Sequence, residues 1–262
     1  MFSSARSSTG FTRWLGDLEA RHLRDMTTSE VARALRALSS TYVERRSRLS
    51  DRGAFDTAGK RAAYALYYAP RRFLTVAHVL AAVEAPTTPL HVVDLGCGTG
   101  AAGAAWAVHA GAGSSVLGVD VHPWALEETR ATLRGFGLQG QTRRLAVGAA
   151  AGLWKDGKQR GDATRATGIV LSYVVNELDG DERAALLTAV MEAARHGTRV
   201  FVMEPLSRRT SPWWNGWVDT FTAAGGRADE WRVRIEPPPV TLALGVATGL
   251  DAVAATGRTL WI

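Results

Sequence analysis

The stretch Leu90-His-Val-Val-Asp-Leu-Gly-Cys-Gly-Thr-Gly100 decides the fold of this 262-residue chain. Its apolar part, Leu90 to Leu95, predicts a short buried strand. The strand is followed directly by three glycines, Gly96, Gly98 and Gly100. An alanine-rich stretch from Ala101 to His109 then predicts a helix, whose first N–H groups are free to meet a ligand. Because glycine lets the backbone turn sharply and approach a ligand closely, we expect a ligand-binding turn here.

This turn fits a dinucleotide site, a site for a cationic ligand, or an ordinary tight turn that binds nothing. The segment Gly98-Thr-Gly-Ala-Ala-Gly103 fits the dinucleotide fingerprint, which is a weak signal when it stands alone. Asp94 separates the two interpretations. A carboxylate two residues before the first glycine has little use beside a pyrophosphate, whereas it suits a cationic ligand. We therefore favour a cationic ligand over a dinucleotide.

The segment Asp94-Leu-Gly-Cys-Gly-Thr-Gly100 resembles the first motif of class I S-adenosylmethionine (SAM)-dependent methyltransferases. The resemblance implies that SAM is the cofactor and that the acid lies near its methionine ammonium. It also implies that the backbone of the loop lies against the methionine and ribose. The expected cofactor-binding residues of this segment are Asp94, Gly96, Cys97, Gly98 and Gly100.

After residue 90 the pattern alternates between strand and helix, which predicts an α/β fold with a doubly wound, mostly parallel sheet. The superfamily resemblance implies seven strands in a Rossmann-like arrangement. The second strand, Ser115 to Val119, ends at Asp120, whose carboxylate can accept hydrogen bonds from ribose hydroxyls. Val121 next to it completes the expected nucleoside site. Further strands are predicted at 143–147, 168–175, 198–203, 231–235 and 258–262, with a polar loop at 155–167 and helices at 181–196 and 211–224.

The first 85 residues show helical spacing only, at 11–26, 28–49, 60–68 and 71–83. We expect Pro70 to interrupt the third of these helices. The predicted domains are therefore an N-terminal helical extension or lid, 1–85, and a SAM-binding methyltransferase domain, 86–262. An arginine cluster in the extension is either a solvated face or an RNA-facing patch, and it comprises Arg45, Arg46 and Arg48.

Ligands of open α/β sheets lie at the carboxyl ends of the strands, beside the point where strand order reverses. The first and fourth strands flank that point, so we expect methyl transfer beside Ser172, which joins the cofactor set. Glu177 is the first candidate for a general base, and Tyr173 and His122 are the next. The expected substrate-binding residues are Tyr68, Asn176, Glu204, Trp213 and Trp214. The two tryptophans fit either a core stripe or a substrate-facing wall.

Two segments, Ser172-Tyr-Val-Val-Asn-Glu-Leu178 and Val202-Met-Glu-Pro205, resemble one branch of the superfamily. This branch is the methyltransferase-like family associated with the small ribosomal subunit, so the resemblance implies ribosomal RNA as acceptor. Members commonly carry a cysteine cluster for iron–sulfur binding, whereas this chain has a single cysteine, Cys97. The glycine loop also lacks the Pro-Gly ending that is common in that family.

The composition is that of a globular protein, with 46% hydrophobic and 21% charged residues. A net charge of +6 favours an anionic partner such as RNA. One cysteine excludes a disulfide framework within the chain, and we expect no metal. No apolar run reaches the length of a membrane span, and a free thiol suits the cytoplasm.

Three functions remain open from the sequence. The first is methyl transfer from SAM to an oxygen or nitrogen nucleophile, on ribosomal RNA. The second is methyl transfer to a small molecule or peptide, with the extension as a lid. The third is a SAM-binding ribosome-assembly factor without turnover.

Overall fold

The computed structural model describes residues 5–44, 55–154, 166–207 and 211–262. The arginine cluster at 45–48 and most of the predicted loop at 155–167 lie outside these ranges. The N-terminal part is helical, and one turn of π-helix, Tyr64–Tyr68, joins two of its helices. These helices are α1 (Ala5–His22), α2 (Thr28–Glu44), α3 (Ala58–Ala63) and α4 (Ala69–Ala82).

The rest of the described chain forms a seven-stranded sheet with flanking helices. The strands are β1 (Leu90–Leu95), β2 (Ser115–Asp120), β3 (Gln139–Arg144), β4 (Ala166–Ser172), β5 (Arg199–Glu204), β6 (Arg227–Arg234) and β7 (Ala254–Trp261). The helices are α5 (Ala101–Ala110), α6 (Pro123–Phe136), α7 (Gly180–Arg195), α8 (Trp214–Ala223) and α9 (Pro239–Thr248).

The strand order is β3-β2-β1-β4-β5-β7-β6, so the order reverses between β1 and β4. Strands β1 to β5 pair in parallel, and β7 runs antiparallel to both of its neighbours. This arrangement confirms the expected doubly wound sheet with N-terminal helices. The carboxyl ends of β1, β2 and β4 consequently meet at one edge, where a ligand of this kind of sheet binds.

Two hydrophobic layers cover the two faces of the sheet. Successive residues of a strand point to opposite faces, so Val92 belongs to one layer and Val93 to the other. The first layer joins the N-terminal helices to α5, since Trp14 and Leu35 are buried in the same cluster as Trp106. The division into an extension and a methyltransferase domain stays a prediction. Among the helices of the described ranges, none has the length and apolar character that crossing a bilayer requires.

The third strand differs from the expected one. It occupies Gln139–Arg144, and Val147–Gly152 forms a short 3-10 helix. The strand is polar and mostly exposed because it lies at the edge of the sheet. Of the apolar residues that predicted a strand at 143–147, Leu145 and Ala146 lie between β3 and the 3-10 helix, and Val147 begins that helix. The sequence pattern also missed α9, since its proline-rich start and lack of charged residues gave no amphipathic signal.

Pro70 does not interrupt the helix that contains it. A proline has no N–H to give to the carbonyl four residues earlier, which here belongs to Leu66. The chain widens into the π-helical turn just before Pro70, so that Ala69 N donates to Tyr64 O, and α4 continues. The freed carbonyl of Leu66 accepts a hydrogen bond of 2.7 Å from the Thr241 hydroxyl on α9. A residue distant in sequence therefore compensates for the proline.

We expect Thr241→Val to destabilise the protein by about 1–3 kcal/mol, because a buried carbonyl loses its donor while the side chain keeps its shape. Thr241 is fully buried. Urea unfolding followed by circular dichroism measures the change. Thr222→Val is the matched control, since its exposed hydroxyl bonds only within its own helix. Equal stabilities of the two variants would contradict this account of Pro70.

Candidate functional site

A cavity of about 550 Å³ lies at the carboxyl ends of β1, β2 and β4. One side of the wall comes from the glycine turn and the strand ends. The other side comes from the N-terminal helices, through Tyr64, Tyr68 and Arg72. The cavity therefore lies at the reversal of strand order, and the helical extension forms one side of its wall.

The glycine turn has φ +66° at Gly96 and +53° at Gly98, where other residues would be strained. A Cβ at Gly96 would lie 2.3 Å from Val174 Cγ2, so only glycine fits against the segment after β4. Gly96 and Gly98 line the cavity. Cys97 and Gly100 do not, and the buried Cys97 Sγ lies 3.2 Å from Thr129 Oγ1. These two expected cofactor residues therefore belong to the turn but lie away from the cavity wall.

Asp120 holds the glycine turn to the end of β2. Its Oδ2 accepts a hydrogen bond of 3.0 Å from Gly98 N, and its Oδ1 accepts one of 2.9 Å from His122 N. A carboxylate has about four lone-pair sites, so each oxygen can still accept from a hydroxyl. Val121 beside it is 45% exposed, which is unusual for a large apolar residue in this protein. Asp120 and Val121 thus present a carboxylate and an apolar surface side by side.

Asp94 lies behind the turn and not on the cavity wall. Its Oδ2 accepts a hydrogen bond of 2.9 Å from Gly103 N in the first turn of α5. Burial raises the pKa of Asp94 to about 7, although the Gly103 N–H and the charge of Arg72 act in the opposite direction. The observed contact of this carboxyl is thus with the start of a helix, and its role beside a ligand ammonium stays a prediction.

Arg72 reaches from α4 to the end of β4. Its Nη1 donates to the carbonyl of Ser172 over 2.6 Å, and its Cζ lies 4.0 Å above the centre of the Tyr173 ring. Tyr173 ends the strand because its φ is +63°, a left-handed conformation that is rare for aromatic residues. The sequence analysis did not select Arg72, because nothing in a helical pattern shows which arginine faces a cavity.

Glu204 and Asn176 form a buried network beside the cavity. Glu204 is fully buried, and its Oε1 accepts from Val175 N over 2.9 Å while its Oε2 accepts from Asn176 Nδ2. Asn176 Oδ1 accepts from Ser211 Oγ over 2.7 Å and from Trp213 Nε1 over 3.0 Å. Burial raises the pKa of Glu204 to about 8, and the charge of Glu177 adds to the effect. Both expected substrate residues thus make their principal contacts within the protein.

The three candidate bases all line the cavity. Glu177 is exposed in a 3-10 turn after β4. His122 caps α6, since its Nδ1 accepts a hydrogen bond from Trp124 N over 3.2 Å. The Tyr173 hydroxyl donates to Thr256 O over 3.4 Å, and burial raises the pKa of this phenol. Of the three side chains, Glu177 is the one that offers an exposed carboxylate.

Tyr68, an expected substrate residue, lies on the wall, and burial raises its pKa to about 12. The expectation of a substrate-facing wall at Trp213 and Trp214 needs correction. Neither indole lines the cavity; Trp214 is buried beneath the Arg258 guanidinium, whose Cζ lies 4.3 Å from its ring centre. Helix α8 packs its apolar stripe on the sheet, so these rings belong to the core.

Within the described ranges, no three His, Cys, Asp or Glu side chains are grouped so that they could hold a metal ion. Two aromatic wall residues escaped the sequence analysis as site residues, namely Phe55 and Tyr64. The spacing of tyrosines at 64, 67 and 68 showed a helix, but the π-helical turn decides which of them face the cavity.

Several solved structures are similar to this chain at low sequence identity. A SAM-dependent methyltransferase from Aquifex aeolicus is 16% identical, with 72% of this chain and 89% of that chain covered and a TM-score of 0.41. The precorrin-6y C5,15-methyltransferase of Geobacter metallireducens is 12% identical, with 71% and 87% covered and a TM-score of 0.44. A SAM-dependent O-methyltransferase from Thermotoga maritima is 12% identical, with 71% and 63% covered and a TM-score of 0.45. The likeness concerns the arrangement of helices and strands alone.

A family model matches a large part of the chain. The model described as mitochondrial small ribosomal subunit Rsm22 matches residues 58–227, which is well over half of the chain. The chain belongs to this family. The match includes the π-helical turn, the glycine turn and the ends of β2, β4 and β5. No curated protein sequence matches the chain.

The raised pKa of Glu204 predicts how stability depends on pH. The unfolded chain releases this proton near the ordinary value of 4.5, whereas the folded protein holds it up to about pH 8. The contribution of Glu204 to stability therefore falls as pH rises from about 5 to 8. We expect Glu204→Gln, which carries no ionisable proton, to make the free energy of unfolding depend less steeply on pH in this window.

Urea unfolding at intervals between pH 5 and pH 8 measures this slope. Asp94 leaves part of the slope in the variant, since its pKa of about 7 is raised as well. Glu192→Gln is the control, because this exposed carboxyl has a lowered pKa and does not titrate in the window. A slope equal to that of the unsubstituted protein in Glu204→Gln would show that Glu204 is ionised when folded.

Proposed function

We propose that this protein is a SAM-dependent methyltransferase that transfers a methyl group to an oxygen or nitrogen nucleophile of small-subunit ribosomal RNA. The observation that carries the proposal is the cavity beside the glycine turn, with the Asp120 carboxylate and the exposed Val121 on its wall. A cytoplasmic location belongs to the proposal and is supported by the free, buried thiol of Cys97.

The residues of the cavity fit SAM. Asp120 can accept hydrogen bonds from ribose hydroxyls, and Val121 and Val147 supply apolar surface for adenine. The carboxyl groups of Asp120 and Glu177 suit a ligand with cationic groups. The volume of about 550 Å³ lies within the range of roughly 300–1,000 Å³ that is typical of small-ligand sites. When bound, SAM supplies an electrophilic methyl group on a sulfonium.

The chain itself needs to orient the nucleophile, keep out water and accept a proton. Glu177 is the proposed base, because its exposed carboxylate stands on the cavity wall next to the end of β4. The N-terminal helices close the opposite side, where Tyr68 and Arg72 stand. The extension therefore covers one side of the place where transfer would occur.

The family match supports a ribosomal acceptor, and the net charge of +6 supports RNA binding outside the cavity. Inside the cavity, the carboxyl groups of Asp120, Glu177 and Glu182 outnumber the guanidinium groups of Arg71 and Arg72 and so disfavour a phosphate. We therefore propose that a base or a sugar hydroxyl enters, and not the phosphate backbone. A nucleotide turned out of its helix would meet both requirements.

A second candidate is a SAM-binding assembly factor without turnover. The observation that favours it is the engagement of Asn176, whose amide contacts Glu204, Ser211 and Trp213 and holds the protein together. Methyl transfer to a small molecule or peptide is the remaining alternative, and a cavity of about 550 Å³ would suit it.

We expect Asp120→Asn to weaken SAM binding by about tenfold or more, because an amide accepts at one atom only and loses hydrogen bonds to ribose. Isothermal titration calorimetry measures the affinity. Asp181→Asn is the matched control, since Asp181 is exposed in the first turn of α7 and does not line the cavity. If Asp120→Asn bound SAM with unchanged affinity, Asp120 would not be the residue that binds the ribose hydroxyls.

For the base, we expect Glu177→Gln to slow methyl transfer by about 10²–10⁴-fold when SAM is saturating, because the variant cannot accept the proton. The assay follows labelled methyl transfer from SAM to RNA of small ribosomal subunits, with Asp181→Asn again as control. A rate unaffected by Glu177→Gln would exclude this base. SAM binding without any transfer in the unsubstituted protein would favour the assembly factor.

A further inference from the structure

An aromatic row runs along the extension side of the cavity. The centre of the Phe55 ring lies 5.2 Å from that of His122 and 4.8 Å from that of Trp124, both just after β2. It lies 4.9 Å from the centre of the Tyr64 ring, which is 5.7 Å from that of Tyr68. The row thus begins on the side of Asp120 and ends on the side of α4 and β4, with Tyr64 at its centre.

Tyr64 stands directly over the glycine turn. A Cβ at Gly98 would lie 3.0 Å from the Tyr64 hydroxyl oxygen, so the phenol fits here because Gly98 has no side chain. The π-helical turn aims the ring: Tyr64 and Tyr68 line the cavity, whereas the Tyr67 hydroxyl points away and donates to Asp251 O over 3.2 Å.

The Tyr64 hydroxyl has no hydrogen-bond partner within the described part of the chain, although its side chain reaches into the cavity. Burial raises the pKa of this phenol, so it stays protonated and can donate as well as accept. The charges that act on it come from Arg72, Glu177, Asp120 and Asp94. An uncommitted hydroxyl among these charges is suited to a charged group of a ligand.

We propose that Tyr64 is a ligand-binding residue, and that its hydroxyl hydrogen-bonds the charged amino-acid end of SAM over Gly98. This inference rests on the proposed function. The nucleoside end belongs to Asp120 and Val121, on the far side of Phe55. The amino-acid end then falls between the glycine turn and Arg72, where the Tyr64 hydroxyl lies. The N-terminal helices thereby supply a residue that binds the cofactor directly.

Three ligands test the assignment: SAM, S-adenosylhomocysteine, and 5′-methylthioadenosine, which has the nucleoside but no amino-acid end. We expect Tyr64→Phe to weaken SAM and S-adenosylhomocysteine by about tenfold, the loss of one hydrogen bond to a charged group. Binding of 5′-methylthioadenosine should not change. Calorimetry measures all three affinities, and equal melting temperatures verify that the variant is folded.

Tyr67→Phe is the control, because it removes a hydroxyl of the same turn that does not face the cavity; it should leave all three affinities unchanged. If Tyr64→Phe binds SAM as tightly as the unsubstituted protein, or weakens 5′-methylthioadenosine equally, the assignment of Tyr64 is wrong while the proposed function stands. If the unsubstituted protein binds none of the three ligands, the proposed function fails and the Tyr64 assignment fails with it.

Discussion

The hydrogen bond from Gly98 N to the Asp120 carboxylate is the constraint on which the site depends. It joins the turn after β1 to the end of β2, and Cys97 N adds a bond of 3.0 Å to Val119 O. The turn can accept this position only because Gly98 tolerates a positive φ. This hydrogen bond fixes the turn and so brings three parts of the cavity wall together. They are the Asp120 carboxylate, the exposed Val121 and the backbone of Gly98 beneath Tyr64.

A second constraint comes from Pro70. Because it has no N–H, the helix widens before it, and the carbonyl of Leu66 finds its donor in Thr241 on α9. The wider turn directs Tyr64 and Tyr68 to the cavity, and α4 then brings Arg72 to Ser172. The π-helical turn that accommodates Pro70 therefore also positions the residues of the extension that line the cavity. In physical terms, the proposed site is shared between the sheet and the helices that precede it.

The sequence predicted those parts of the fold whose residues carry a local signal. The bounds of β1 were right because a buried apolar run ends at glycine, and Asp120 was correctly placed at the end of β2 because it ends a similar run. The edge strand β3 was misplaced because burial does not constrain an edge. Arg72, Phe55 and Tyr64 were missed as site residues, since their positions depend on packing between distant segments. The path of the chain through Pro70 depends on Thr241, 175 residues from Leu66, and no local pattern contains that information.

The most direct test of the central claim is calorimetric titration of ligand-free protein with SAM and, separately, with NADH, since the glycine turn alone fits either nucleotide. The account predicts saturable binding of SAM and no binding of NADH, because the cavity wall carries carboxylates and suits a cationic ligand. Binding of NADH without binding of SAM would show that the glycine turn serves a dinucleotide, and it would contradict the methyltransferase assignment of the site.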